Sequence, residues 1–215
     1  MTVINLIDYI SANYIFVICN TSELIHKCKE LRHAIYCEEK NWEPESTSRI
    51  EEDEYDSKSV HYLIVCRSTQ KPVATFRLII SNNLPLAKYM NPDNILHPKK
   101  VQLNSVCEIS RFSIVREHRN MKLLNAFFLL VGFEAAKRGL VGAYMVMEKS
   151  LATRMIKSNI NVQQISDSFM LNGSRSIYFT SAADALKSIS AVVGFELEKL
   201  EEIFKPVFEV ELSAA

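Results

Sequence analysis

Within one short run of the chain, Val106-Cys107-Glu108-Ile109-Ser110-Arg111-Phe112-Ser113-Ile114-Val115, a carboxylate, a hydroxyl and a guanidinium fall within four residues. A carboxylate can take a proton, a hydroxyl can give one, and a guanidinium binds anions through a planar fork. The run predicts a β-strand, because apolar and β-branched residues recur at short range with no glycine or proline. A charge in such a strand is costly unless paired. Glu108 and Arg111 therefore need structural partners or have a chemical task. A basic turn follows, Arg116-Glu117-His118-Arg119-Asn120-Met121-Lys122, and then the most apolar helix of the chain, expected over 123–136. Strand, turn and helix together form an anion-binding unit, since a helix N-terminus offers free amide donors and the positive end of its dipole.

The remaining elements must position these groups. A short helix is expected over 1–12 and a strand over 14–19. Thr21 or Ser22 can then cap a helix over 23–38. Its Leu24, Cys28, Leu31 and Ile35 draw one apolar stripe, with Arg32 and Tyr36 along the stripe's edge. Residues 40–58 are polar and lack periodicity. They hold the lone tryptophan, Trp42, and the acidic run Glu51-Glu52-Asp53-Glu54-Tyr55-Asp56, which on charge pattern alone reads as a solvated loop. Trp42 should find something apolar to cover. Strands over 60–65 and 73–80 form a hairpin, the second placing Thr75, Arg77 and Ile79 on one face. Residues 81–105 are a long irregular excursion, a length typical of lids and binding loops. Beyond the apolar helix, Gly139 supplies the stop. Further strands are expected over 141–147, 162–170 and 176–180, and helices over 149–160 and 182–189. Asn172-Gly173 marks a turn. The tail suggests a short helix and a terminal strand.

Bulk properties narrow the function classes. The 215 residues suffice for one domain spanning 1–215, and their formal net charge of zero gives no support for sequence-independent nucleic-acid binding. Five cysteines without a C-x-x-C read as reduced core thiols of a cytoplasmic protein. Cys107 points away from Glu108 and is read as one of these. The histidines lack metal-ligand spacing, so no metal is expected. No apolar run reaches the roughly 18 residues of a membrane span. Met1 to Asn13 lacks a basic start and a cleavage site, so no signal peptide is expected.

The order strand, helix, loop, hairpin, strand, helix, strand, helix, strand resembles the GNAT acyltransferase fold, an α/β (α+β) architecture with a mixed central sheet flanked by helices. Leu31-Arg32 to Tyr36, Trp42, Glu52-Asp53-Glu54-Tyr55-Asp56, Arg77-Leu78 and Glu108-Ile109-Ser110-Arg111-Phe112 stand in the order and rough spacing of acyl-homoserine-lactone (autoinducer) synthases. They look still closer to N-acyl amino acid synthases and the PEP-CTERM/exosortase-associated acyltransferases. The run Asp53-Glu54-Tyr55-Asp56-Ser57-Lys58-Ser59-Val60-His61 is typical of that second group. The resemblance covers roughly residues 21–140 and rests on four motifs in order. It implies transfer of an acyl group from a carrier-protein thioester to an amine, with no bound cofactor. The family's pattern of charged residues falls on Arg32, Asp53, Asp56, Arg77, Glu108 and Arg111. Trp42 falls on the tryptophan of the loop that closes over the acyl site.

Amide formation from a thioester requires an amine freed of its proton, donors for the oxyanion, and two substrates held together. Glu108 reads as the base or as half of a structural ion pair. Ser110 shares its face by strand parity and reads as a proton donor or as a satisfied hydroxyl. Arg111 points the other way if the strand is regular, and would pair with Asp53 or Asp56 to pin the acidic loop. Arg32 or Arg77 could instead hold the carboxylate of an amino-acid acceptor. Tyr36 and Phe112 read as core residues before substrate stackers, with Phe112 placed among the substrate-binding or loop-ordering residues by the resemblance. GNAT enzymes that use coenzyme A usually carry glycines in the turn after the central strand; here Lys122 and Leu124 stand at those positions. That favours acyl carrier protein over acyl-CoA as the donor, with Arg116, Arg119 and Lys122 as the docking cluster. The expected partners are thus acyl carrier protein and a small amine, most simply an amino acid. The alternatives are a homoserine-lactone synthase using S-adenosylmethionine and a non-catalytic acyl-binding or regulatory module.

Overall fold

A computed structural model describes residues 3–90, 105–186 and 197–208. Helix α1 (Val3–Asn13) leads into β1 (Tyr14–Cys19), then α2 (Ser22–Arg32), β2 (Ser59–Cys66), β3 (Pro72–Ile79) and β4 (Val106–Ile114). There follow α3 (Met121–Lys137), β5 (Gly142–Met147), α4 (Lys149–Lys157), β6 (Gln163–Gln164), β7 (Phe169–Met170), β8 (Ser174–Ser181) and α5 (Leu197–Phe204). The strands form one mixed eight-stranded sheet in the order β1-β2-β3-β4-β5-β8-β6, with β7 also paired to β8. All pairings are antiparallel except β4 with β5. That parallel pair needs a crossover, and α3 supplies it. The α/β fold expected from the sequence, with helices flanking a mixed sheet, is the one observed.

Local chemistry explains the boundaries. The Thr21 hydroxyl accepts the Leu24 N–H at 3.3 Å and caps α2. Asn120 does the same for α3, accepting from Leu123 at 2.9 Å. Gly139, at φ +68°, ends that helix. Alternation sends Phe76, Leu78, Cys107, Ile109 and Met145 toward α3, which is buried along nearly its whole length. Phe127 of α3 is fully buried against Phe76 and Phe112, and truncating such a side chain costs about 3–5 kcal/mol. At Gly132 a Cβ would come within 2.6 Å of the Ala185 Cβ, so glycine lets the helical residues 182–186 cross α3 closely. The opposite face carries α2 over β1 and β2 through Cys28, Leu63 and Val65. The N–H of Phe16 bonds Val207 O at 2.9 Å, so the C-terminal segment covers the outer edge of β1. The cysteines are reduced and buried.

Several boundaries differ from the sequence reading. The helix expected over 23–38 widens into a π-helix at His33–Glu39. The strand expected over 162–170 splits into β6 and β7, because the Ser166 hydroxyl accepts the Ile177 N–H and donates to Asp167 O, each at 2.8 Å, taking up bonds a continuous ladder would use. The strand expected over 176–180 is longer and lies between β5 and β6. The helix expected over 149–160 stops at Lys157, before Asn159 turns left-handed at φ +64°. Part of the excursion at 81–105, the end of the helix expected over 182–189, and the expected terminal strand lie outside the described residues. Among those described, no helix is long and apolar enough to cross a membrane, and no group of three or more His, Cys, Asp or Glu side chains could hold a metal ion.

Candidate active site

Three arginines from three elements converge on the acidic loop. Arg32 closes α2 and is 1% exposed; Arg77 lies mid-strand in β3 and is 1% exposed; Arg111 comes from β4. Arg32 forks onto Asp56, with Nη1 to Oδ1 at 2.7 Å and Nη2 to Oδ2 at 3.0 Å. Its Nε donates to the Glu51 carboxylate and its Nη2 to Glu51 O at 2.7 Å. Arg77 forks onto Asp53 with two bonds of 2.6 Å and reaches Asp56 Oδ1 at 2.6 Å. Arg111 donates through Nε to Glu51 at 2.9 Å, and its Nη2 lies 3.1 Å from Asp53 and 3.5 Å from Glu43. Bidentate pairs of this kind fix geometry as well as charge. The loop is therefore ordered from beneath, not a solvated run. Burial opposes ionisation of Asp53 and Asp56, but the guanidiniums outweigh it and hold both carboxyls below the usual range. The sequence reading missed Glu51, which is buried between Arg32 and Arg111.

The network depends on an irregularity in β4. Arg77 faces Ser110 and Thr75 faces Ser113, so Phe76 opposes two residues, Arg111 and Phe112. This is a β-bulge. Arg111 occupies it at φ +52°, a left-handed backbone rare for a non-glycine residue. A regular strand would aim Arg111 at α3; the bulge turns it onto the face of Arg77 and Ser110. It also sends Phe112 onto Phe127, stacked at 4.0 Å between centroids. Phe112 thus packs toward α3, while its carbonyl accepts from the Tyr36 hydroxyl at 3.3 Å.

Glu108 lies on the network's face, opposite Ile79 on β3 and in register with Tyr144 on β5. It is 5% exposed. Its Oε2 accepts the Leu86 N–H at 3.0 Å. Burial pushes its carboxyl up to about 7, and the Leu86 N–H and the charges of Arg77 and Arg111 only partly offset that push. Cys107 faces the α3 core, and burial pushes its thiol up to about 12. It is a core thiol.

The β4–β5 ladder runs from Val106/Gly142 to Ile109/Met145 and then ends. From Ser110 onward the edge of β4 toward β5 pairs with no strand among the described residues, and a wedge opens between the two strands. Ser110 sits at its apex, with Oγ 3.5 Å from Arg77 Nη2. Tyr36, from the π-helix, borders the β4 side. Its ring meets Trp42 edge-on at 5.4 Å, and the Arg175 guanidinium lies over the Trp42 ring at 4.7 Å. Burial raises the Tyr36 hydroxyl against the opposing charges of Arg111 and Arg175. Trp42 therefore covers a tyrosine and an arginine at the rim. Arg175 gave no signal in the sequence.

Of the basic turn, Arg119 forks onto Glu39, with Nη1 to Oε1 at 2.7 Å, and its Nε donates to Ile114 O at 2.8 Å. That pairing holds the Glu39 carboxyl down to about 2. Lys122 lies over the Tyr9 ring at 4.6 Å. Arg116 is exposed. The cluster is separate from the Arg32–Arg77–Arg111 network.

Residues 31–129 match a family model described as an acetyltransferase (GNAT) domain. No curated protein matches the chain. Among solved structures, the acyl-homoserine-lactone synthase LasI is similar at 14% identity and a TM-score of 0.68, covering 83% of this chain and 95% of that one. The CoA-dependent acyl-homoserine-lactone synthase BjaI, solved with SAM and isopentyl-CoA, is similar at 15% identity and a TM-score of 0.69, covering 94% and 95%. FeeM, an N-acyl amino acid synthase from uncultured soil microbes, is similar at 10% identity and a TM-score of 0.61, covering 81% and 94%. Residues 31–129 are therefore similar to the acetyltransferase (GNAT) domain, and the chain has the fold that acyl-homoserine-lactone synthases and an N-acyl amino acid synthase share.

Proposed function

We propose that this acyltransferase N-acylates a small amine, an amino acid in the first instance, with a long-chain acyl group from acyl carrier protein. The observation that carries the reading is Glu108, a carboxyl pushed up to about 7 at the foot of the wedge where β4 leaves β5. A base of that pKa is well matched to taking a proton near neutrality. The amine nitrogen attacks the thioester carbonyl carbon, and Glu108 takes its proton through a water. The unpaired edge of β4 offers donors to the oxyanion. The C–S bond then breaks and the thiolate is protonated, by Ser110 or by water.

Support for a carrier-protein donor comes from the first turn of α3, where Lys122 and Leu124 stand in place of the glycines that let a pyrophosphate approach the backbone. A pantetheine arm has one phosphate and asks less of that turn. Against it stands BjaI, which is CoA-dependent. The SAM bound by BjaI also favours a second reading, lactone formation from S-adenosylmethionine. The deciding assay gives the purified chain acyl carrier protein or CoA thioesters, with amino acids or S-adenosylmethionine, and identifies products by mass. An N-acyl amino acid is expected. An acyl-homoserine lactone would select the second reading. A folded chain that binds acyl groups without turnover would make it an acyl-binding module.

A further inference from the structure

We infer that Arg175 is the residue that receives the acceptor's carboxylate, an assignment that rests on the N-acyltransferase reading above. The three network arginines are matched by Glu51, Asp53 and Asp56, with Glu43 at the margin. Arg32 and Arg77 already spend their forks on these carboxylates, so neither can take the carboxylate of an incoming amino acid without breaking the loop's anchor.

Arg175 stands outside that balance. It lies on β8 two residues from Ile177, which pairs with Val146 of β5, and so shares the face of Glu108. It is also one residue beyond the Met147–Ser176 pair that ends the β5–β8 ladder, which places it at the open end of the wedge. Its guanidinium is held in place, and among the described residues the one carboxylate it pairs with, Glu148, is a long 3.5 Å away. The Trp42 ring lies beneath it at 4.7 Å, Nε donates to Leu171 O at 2.6 Å, and Nη2 donates to Asn172 O at 3.3 Å. The Glu148 side chain is half-exposed. Nη1 donates to none of the described residues. A guanidinium oriented by an aromatic face and backbone carbonyls, with donors to spare, is prepared for an anion.

The span suits an amino acid. Along β8 Arg175 is four residues from Phe179, whose partner Tyr144 is in register with Glu108. At about 3.3 Å per residue that is ~13 Å of strand, which an arginine side chain, an amino acid and a bridging water can fill. An acceptor anchored at Arg175 thus directs its amine back into the wedge, and its proton reaches Glu108 through water.

The donor's pantetheine phosphate is an anion too, so the test separates the two sources. The native chain is assayed with the common amino acids, and the best one is compared with its decarboxylated amine. Arg175→Gln keeps a planar group over Trp42 without the charge. It should lower the ratio of kcat/KM for the amino acid to that for the amine by ~10-fold or more, while Arg175→Lys keeps most of the ratio. Thermal melting of each variant checks that it is folded. An unchanged ratio in folded Arg175→Gln, or a loss confined to the donor KM, overturns the assignment. No turnover of any amine by the native chain overturns the acyl-transfer reading itself.

Discussion

Glu108 Oε2 accepts the backbone N–H of Leu86 at 3.0 Å, and this bond ties the central strand to the turn that follows β3. The bond favours the anion, yet burial wins and the carboxyl rises to about 7. Glu108→Gln should lower kcat by ~100-fold or more with the fold retained. A base works only when ionised, so native kcat/KM should fall as pH drops below about 7, and a pH–rate profile of the variant should lack that limb. Stability carries the opposite sign. A carboxyl whose folded pKa exceeds its unfolded value of 4.5 takes up a proton on folding, so burial of the anion costs on the order of 3 kcal/mol above pH 7, a cost that fades toward 4.5. Glu108→Gln should therefore gain Tm over native in mildly alkaline buffer and lose that gain in acid.

Asp56 is the carboxylate shared by Arg32 and Arg77, and it also accepts the Asp53 N–H at 2.9 Å. Removing it takes a carboxylate from two buried guanidiniums, leaving Arg32 with Glu51 and Arg77 with Asp53, so Asp56→Ala should cost about 3–5 kcal/mol in a denaturant titration. Combined with Arg32→Ala the loss should be less than additive; full additivity would mean the two do not act as a pair. Because its folded pKa lies below the ordinary 3.8, its contribution is complete above that pH and is lost only as pH falls through the folded value. The Tm gap between native and Asp56→Asn should thus persist to mild acid and close below it.

Arg111 bears both charge and backbone strain. Arg111→Ala and Arg111→Gly lose the same ion pairs with Glu51 and Asp53, but only glycine relaxes φ +52°. Glycine should be the more stable of the two by ~1 kcal/mol, read from denaturation midpoints. Equal midpoints would mean the bulge flattens once the side chain is gone.

Arg119 is held by Glu39, so docking of a carrier protein would fall chiefly to the exposed Arg116 and Lys122. Reversing both to Glu should raise KM for an acyl carrier protein donor more than for a short acyl-pantetheine. Added salt should weaken the native encounter, because exposed charges are screened beyond ~8 Å at physiological ionic strength. Equal losses with both donors would place the turn at the acyl site instead.

Much of this architecture was legible in the sequence because periodicity reports burial. The run 14–19 is β1 to the residue, and the apolar stretch 123–136 is the heart of α3. Arg32, Asp53, Asp56, Arg77 and Arg111 were legible as partners because charges inside apolar elements must be compensated somewhere. Which acid pairs with which arginine was not, since Glu51 looks no different from Glu52 in a run of carboxylates. The aim of Arg111 was misread because parity assumes a flat strand, and no side chain announces a bulge. Arg175 was invisible for a related reason: its importance lies in sitting across from Trp42, and that proximity is made by the sheet, not by neighbours in the chain.

The bulge also bears on how this chain is compared with others. In β4 one residue, Arg111, has no rung of its own on β3, while Phe112, Ser113 and Ile114 face as they would if it were absent. Alignment with any protein whose matching strand is regular must therefore open a one-residue gap between Ser110 and Phe112. Aligned without it, every position to the end of the strand is matched to a residue on the wrong side of the sheet, and Arg111 is set against a core position.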